Sequence, residues 1–363
     1  MALLVISFDA VGDIAFEKMV KDYPVLAKFK ENSYYRGGVD TIFISNTFPI
    51  HTTVSTGKLP KDHGITSNII GMNNSPDRPW SQEAKFIQAK TMWQAAKEKG
   101  LKTANLLWPV TCGAKIDYNL PEVHIQKGQN QVVQSLKFGS KLFQINAVRK
   151  YGKFLDGIKQ PNLDNFVTST TVDLLKKKKP DLVAVHLLAY DDIAHRVGID
   201  DEQLEVAKKA LNDNLERLLE VWDDTVLVFS DHSQLNVHET INLEKSYPGK
   251  FDHQGGSAFT NEEIDFTNRR WFNRMLTEEE MEESGWNKKY KYGIAAKPGY
   301  NFALSDYRGD HGYPLDYENY NTFYSINKDI DYKDKLKGKI TDVTYIIAKE
   351  LGLDMDIIKE YGL

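Results

Sequence analysis

Residues 181–232 read DLVAVHLLAYDDIAHRVGIDDEQLEVAKKALNDNLERLLEVWDDTVLVFSDH, and this stretch decides the fold. Asp181–Leu188 is a short run rich in Val and Leu, the pattern of a strand buried on both faces. Asp191 follows it, and His195 stands four residues further on, so one helical turn would point both side chains the same way. Glu202–Val221 has the spacing of a long amphipathic helix. Thr225–Ser230 is a second apolar strand, with Asp231-His232 directly behind it. Strand, helix and strand in this order make the repeating unit of a parallel sheet covered by helices on both faces. Ligands of such sheets sit beyond the carboxyl ends of the strands, so the polar residues found there are the ones to follow.

The same alternation extends outward in both directions. Leu3–Phe8 is an apolar strand that ends at Asp9. Residues 14–31 have helical spacing interrupted by Pro24, which predicts two short helices. Thr91–Lys99 reads as a helix stopped by Gly100, and Thr103–Trp108 as the next strand. Val167–Lys177 reads as the helix before Asp181. Thr341–Leu351 is a closing helix with Gly352 as its stop. The fold class is α/β, with a mostly parallel central sheet and helices on both faces, in a single domain spanning 1–363. Two stretches fit poorly. Residues 114–160 are polar, with a Gln/Asn-rich segment near Gln126–Gln134. Residues 253–300 open on Gly255 and Gly256 and carry a charged run, Thr277–Lys291, that reads as a solvated helix. Both are expected to form a cap or rim over the strand ends and to supply no core strands.

Of 363 residues, 41% are hydrophobic and 27% charged, so the chain can bury a large core. The formal net charge of -5 argues against a duplex nucleic-acid partner, which calls for a basic face. No apolar run is long enough to span a bilayer, so no membrane partner is expected. Leu3–Phe8 lacks a basic leader and runs into Asp9, so it reads as a core strand and not a signal peptide. Cys112 is the only cysteine, which fits a reducing compartment. Together these predict a soluble, cytoplasmic protein.

Five places carry chemistry. Asp9 ends the first strand. Thr47 precedes Pro49, a residue suited to a first helical turn, so Thr47 is expected just before a helix N-terminus, where an anion is favoured. Asp191 and His195 share a helical face. Asp231-His232 ends a strand. His311 lies between Gly309 and Gly312, as in a tight loop that presents its ring. Taken alone, each has an ordinary structural reading: a cap at Asp9 and Thr47, a surface ion pair at Asp191 and His195, solvent-facing loops elsewhere. Taken together, three strand ends and one late loop supply the oxygen and nitrogen ligands of two divalent metal ions.

The order and spacing of these residues resemble the type I phosphodiesterase/nucleotide pyrophosphatase family of the alkaline phosphatase superfamily. The most specific stretch is NTFPIHTTVSTGKLPKDHGI at 46–65, which looks like the family's Thr-Phe-Pro-Asn-His signature with its following Thr-Gly, Pro and His-Gly-Ile. Trp108-Pro109 also resembles a family motif after a central strand. The resemblance implies an alkaline-phosphatase-like fold, Thr47 as nucleophile and Asn68 as a contact to the phosphoryl oxygen. It implies one metal on Asp191, His195 and His311, and a second on Asp9, Thr47, Asp231 and His232. Zinc suits three His and three Asp, and manganese is the alternative. Ala10, Ala194 and Ser233 stand where the family commonly has Gly, and Ile50 where it has Asn, but no ligand is missing.

The expected activity is two-metal hydrolysis of a phosphodiester or nucleotide-like pyrophosphate through a phosphothreonine. Phosphomonoester or phosphonate hydrolysis, as in phosphonoacetate hydrolase, is the alternative within the fold. An extra Lys or Arg at the metals would favour a dianionic monoester. A protein that holds metal without catalysis is opposed by the complete ligand set and the intact Thr47. Phe48 is expected either to stack on an aromatic leaving group or to pack in the core.

Overall fold

The computed structural model describes residues 2–72 and 77–362. Its largest sheet has seven strands: β1 Leu3–Phe8, β2 Tyr34–Val39, β3 Thr103–Leu106, β4 Tyr118–Leu120, β5 Leu182–Leu187, β6 Thr225–Ser230 and β7 Thr322–Ile326. Their spatial order is β2-β7-β6-β1-β5-β3-β4. Strands β6, β1, β5, β3 and β4 run parallel, and β7 is antiparallel to both β6 and β2. Phe8 pairs with Leu187 on one side and with Ser230 on the other. The three central strands therefore end level, and the residues that follow them meet at one edge.

Side chains alternate across this sheet, as the pleat requires. Leu4, Ile6, Phe8, Val183, Val185, Val226 and Val228 pack against Leu211 and Leu215 of the helix Glu205–Leu219. Leu3, Val5, Leu182, Ala184, Leu227 and Phe229 share the opposite core with Ile346 and Ile347 of the helix Thr341–Leu351. The near-continuous apolar strands are thus explained by burial on both faces. Pro24 does divide residues 14–31, into helices Asp13–Asp22 and Pro24–Glu31.

The stretch 114–160 departs from its expected role as a cap. Tyr118–Leu120 is the edge strand of the main sheet, and the helix Lys141–Tyr151 packs against Asn162–Lys178. A strand of three residues is too short to show a period. Residues 253–300 contribute to a separate antiparallel sheet of Asp252–Gln254, Ser257–Thr260, Phe272–Met275 and Tyr292–Ala296. It has its own core, which includes Phe251, Phe266, Trp271 and Ile294. The charged run is only partly a solvated helix. Glu278–Glu283 is helical, but Trp286 is buried and stacks on Phe259 with ring centroids 4.2 Å apart. The indole and the buried Met281 dock a segment that is otherwise mostly charged or polar.

A third, three-stranded sheet brings the late loop to the site. Leu235–Ile241, which leaves the Asp231-His232 corner, pairs in parallel with Gly299–Phe302 and antiparallel with Gly309–Asp310. The chain therefore delivers His311 beside the residues that follow β6. Among the described residues no helix is long and apolar enough to cross a membrane.

Candidate metal centre and nucleophile

The expected ligands converge in two sets. Asp191, His195 and His311 can bring one donor atom each within 4.8 Å of one another, and so can Asp9, Asp231 and His232. The two sets adjoin, since the His232 and His311 ring centroids are 4.2 Å apart. Asp191 and His195 lie on the helix Ala189–Val197, with Asp191 Oδ1 3.3 Å from His195 Nε2. That helix is held by a residue the sequence reading missed. The buried Asp164 accepts from the Leu188 and Ala189 N–H groups at 3.0 and 2.9 Å, capping the helix from a neighbouring one.

Glycine is required where the His311 loop meets its support. Gly312 has φ +79°, and a Cβ there would lie 2.1 Å from the Gln254 carbonyl oxygen. Gly255 has φ +65°, and a Cβ would lie 2.1 Å from the His311 carbonyl oxygen. The start of the 253–300 stretch thus braces a candidate ligand loop and is more than a rim.

The histidine tautomers fit metal binding. His195 Nδ1 lies 2.8 Å from the Gly309 carbonyl oxygen and His232 Nδ1 3.2 Å from that of Ser233. A carbonyl only accepts, so both Nδ1 atoms carry the hydrogen. His311 Nδ1 makes the same contact with Asn46 Oδ1 at 2.9 Å. In each ring Nε2 is therefore the nitrogen left to face a cation, in His195 once the proton shared with Asp191 is displaced, and the second nitrogen is fixed as metal-binding histidines commonly are. Asp9 Oδ1 and Asp231 Oδ2 are buried without a hydrogen-bond partner. Orphaned carboxylate oxygens and oriented imidazoles of this kind fit divalent cations.

Electrostatics agree. Burial, with Asp231 and Asp191 nearby, pushes the Asp9 carboxyl up to about 8, and burial pushes Asp231 up to about 7. Burial would lower His195, but Asp191 outweighs it and lifts the ring to about 10. Burial would raise Asp191, but His195 holds it well below the usual carboxylate range. The protein alone cannot keep all three carboxylates ionised at neutral pH, and bound cations would reverse that balance.

Thr47 is the first residue of the helix Thr47–Thr56, one position further in than expected, and Asn46 is the residue before it. Asn46, the N-cap, makes no side-chain capping bond, and the Thr47 hydroxyl lies 3.3 Å from His232 Nε2. Asn46 touches His311, so adjacent residues of one helix start reach both donor sets. Asn68 Oδ1 accepts from the Phe48 N–H at 2.9 Å, which leaves its amino group to donate to a ligand. Phe48 takes the second of its two expected roles. It has no exposed surface and packs against Trp80 and His124, with centroids 5.2 and 5.8 Å away. The ring is a packing element, and the half-buried Trp80 and His124, stacked at 3.6 Å, cover it.

Two further histidines lie beneath the site. His186 Nε2 is 3.0 Å from Asp9 Oδ2, and its Nδ1 is 3.8 Å from Glu122 Oε2. A lone His inside the apolar run LVAVHL was the available signal. His51, His186 and Asp231 also bring donors within 4.8 Å. His51 has both nitrogens engaged, by the Thr47 carbonyl oxygen and Ser7 Oγ at 2.9 Å each, so it supports Thr47 and has no free lone pair for a third ion.

A level-ended parallel sheet with two metal-competent donor sets and a hydroxyl at a helix start defines an alkaline-phosphatase-like protein. Its family model is that of the type I phosphodiesterase / nucleotide pyrophosphatases, which matches residues 3–289, and the chain belongs to that family. Venom phosphodiesterase 2 of Crotalus adamanteus is 22% identical over 247 residues, covering 66% of this chain and 26% of that protein. An ectonucleotide pyrophosphatase/phosphodiesterase of Caenorhabditis elegans is 25% identical over 256 residues, covering 67% of this chain and 30% of its own length. The chain therefore spans about a quarter of the first curated relatives it matches. Murine ectonucleotide pyrophosphatase / phosphodiesterase 5 shares the fold with a TM-score of 0.69 at 17% identity, over 97% of this chain and 95% of that one. Phosphonoacetate hydrolase from Sinorhizobium meliloti does so with a TM-score of 0.68 at 16% identity, over 97% and 96%.

Proposed function

We propose that this protein is a metal-dependent hydrolase of phosphodiesters or nucleotide-like pyrophosphates, with Thr47 as its nucleophile. The observation that carries the reading is the placement of Asn46-Thr47 against His311 of one donor set and His232 of the other. Asp191, His195 and His311 would hold one divalent ion, and Asp9, Thr47, Asp231 and His232 a second. Zinc is the first choice and manganese the alternative for such nitrogen and oxygen donors. When bound, the ions would lower the Thr47 hydroxyl pKa and offset phosphate charge.

The chain's own residues would do the rest. The Thr47 oxygen attacks phosphorus in line, the bond to the leaving oxygen breaks, and a phosphothreonine forms. Asn68 donates its amide hydrogens to a phosphoryl oxygen as charge develops there. Water then attacks phosphorus from the vacated side and restores Thr47. Burial of the donors keeps their geometry fixed through both steps.

Among the described residues no Lys or Arg forms an ion pair with Asp9, Asp191 or Asp231. Their ion-pair partners among the described residues are histidines, which supports a diester over a dianionic monoester. One observation favours a second reading, a compact phosphonate or ester. The aromatic wall beside Thr47 is closed on itself, since Trp80 lies flat on His124 above Phe48. Release of p-nitrophenol from bis(p-nitrophenyl) phosphate and from p-nitrophenyl phosphate, with zinc or manganese, tests the choice. Preference for the diester is expected. Preference for the monoester, or phosphate release from phosphonoacetate alone, would replace the first reading with the second.

A further inference from the structure

Beyond His124 the chain leaves the wall of the site and enters two helices, Gln131–Phe138 and Lys141–Tyr151, which pack on each other. The first buries none of its side chains, and the second buries only Gln144 and Ala147. Val132, Val133, Leu142, Ile145, Val148 and Ile158 are all at least 50% exposed. Among the described residues only one other large aliphatic, Val206, reaches that exposure, so these side chains are concentrated and not scattered. On the second helix, Leu142, Ile145 and Val148 recur at three-residue steps, which sets them along one outward ridge.

The same segment is basic. Residues 127–159 hold six Lys and one Arg against a single acid, Asp156, a net +6 in a chain whose total is -5. Lys150 pairs with Asp173 and Lys159 with Asp156. Lys137, Lys141, Arg149 and Lys153 form no ion pair among the described residues, so their charge is unanswered within the protein. A two-fold contact between copies would set this charge against itself, which argues against a second copy as the occupant. Protruding aliphatics set among unpaired cations match an anionic bilayer surface. There the aliphatic tips enter the acyl boundary, and the lysine stems reach back to headgroup phosphates.

We propose that residues 127–159 form a docking surface for anionic phospholipid membranes. The expected absence of a membrane partner rested on the lack of a spanning segment, and a surface contact needs none. The patch starts three residues after His124, whose ring centroid is 5.8 Å from that of Phe48, so a docked molecule would hold the Thr47 site near the lipid surface.

Cosedimentation with vesicles tests this. The protein is expected to pellet with vesicles of phosphatidylcholine and phosphatidylserine, to stay in solution with phosphatidylcholine alone, and to be released by salt. Lys137→Glu/Lys141→Glu is expected to weaken binding by at least 25-fold, taking about fivefold for each charge lost at the surface. Leu142→Asp is expected to weaken it as well. Both variants should keep the wild-type melting temperature and its hydrolysis of soluble p-nitrophenyl substrates, which excludes misfolding. No binding to phosphatidylserine vesicles, or binding that survives both variants, overturns the proposal. A stable dimer, or a complex with a soluble acidic protein through this face, overturns it too if vesicles are not bound.

Discussion

Replacing Asp164 with Ala should damage one metal site selectively, although Asp164 is itself no ligand. Its carboxylate accepts from the N–H groups of Leu188 and Ala189 at 3.0 and 2.9 Å, where the helix bearing Asp191 and His195 begins. It is completely buried, and burial lifts its carboxyl to about 6. Alanine leaves two donors unsatisfied, each costing about 1–3 kcal/mol, and relieves the cost of burying a carboxylate. The net loss is about 3 kcal/mol. Unfolding entropy near 2.1 cal/mol/K per residue gives about 0.8 kcal/mol/K for a chain of 363 residues, so the midpoint should fall by about 4 °C. The larger effect is local. A frayed first turn moves Asp191, two residues inside the helix, so the Asp191/His195/His311 site should lose affinity by about 10–100-fold. The Asp9/Asp231/His232 set stands on β1 and β6 and should keep its ion. Stepwise chelator titration followed by elemental analysis, with a melting curve, reads both effects. A full complement of tightly held metal in Asp164→Ala, with an unchanged melting curve, would refute the claim that this cap positions the site.

Two other predictions follow from the same geometry. Asp9 at about 8, Asp231 at about 7 and His195 at about 10 all have folded pKa values above their unfolded ones, so the stability they contribute is lost as pH rises through those values. His232 and His311 are lowered and already neutral in both states above about pH 7, so they do not oppose this trend. Metal-free protein should therefore melt at progressively lower temperature between about pH 7 and 9, each proton difference being worth about 1.4 kcal/mol per pH unit, whereas zinc-loaded protein should not. Ala10 has φ +63° and lies where the family commonly has Gly. Ala10→Gly should leave the site intact and raise stability by about 0.5–1 kcal/mol, measurable as a small rise in melting temperature.

The parts of the fold that were legible in the sequence are those whose burial leaves a pattern. Leu182–Leu187 and Thr225–Ser230 are buried throughout and mostly apolar because helices cover both faces, and their ends marked where ligands belong. Thr341–Leu351 was legible to its last residue because Gly352 takes the left-handed conformation that ends it. Tyr118–Leu120 and Gly309–Asp310 are too short to have a period, so the edge of the main sheet and the path that brings in His311 were hidden. Asp164 was invisible for a different reason. Its role depends on a neighbouring helix start 24 residues away, and no local pattern encodes such a contact. His186 was legible in principle, as one polar residue in an apolar strand. The sequence left Phe48 open between access and packing because Trp80 and His124, which cover it, come from distant parts of the chain.

The central claim is that Thr47 is the attacking group, and Thr47→Ala tests it most directly. Metal content, melting temperature and turnover of bis(p-nitrophenyl) phosphate are measured on the same preparation. Asn46 and not Thr47 is the N-cap of the helix, and the Thr47 hydroxyl faces His232, so the melting temperature should hardly move. Asp9, Asp231, His232 and the other donor set remain, so both ions should still bind. Turnover should fall by several orders of magnitude in Thr47→Ala and recover in part in Thr47→Ser, which keeps the hydroxyl. A folded, metal-loaded Thr47→Ala protein that still turns over at a near-normal rate would contradict the account.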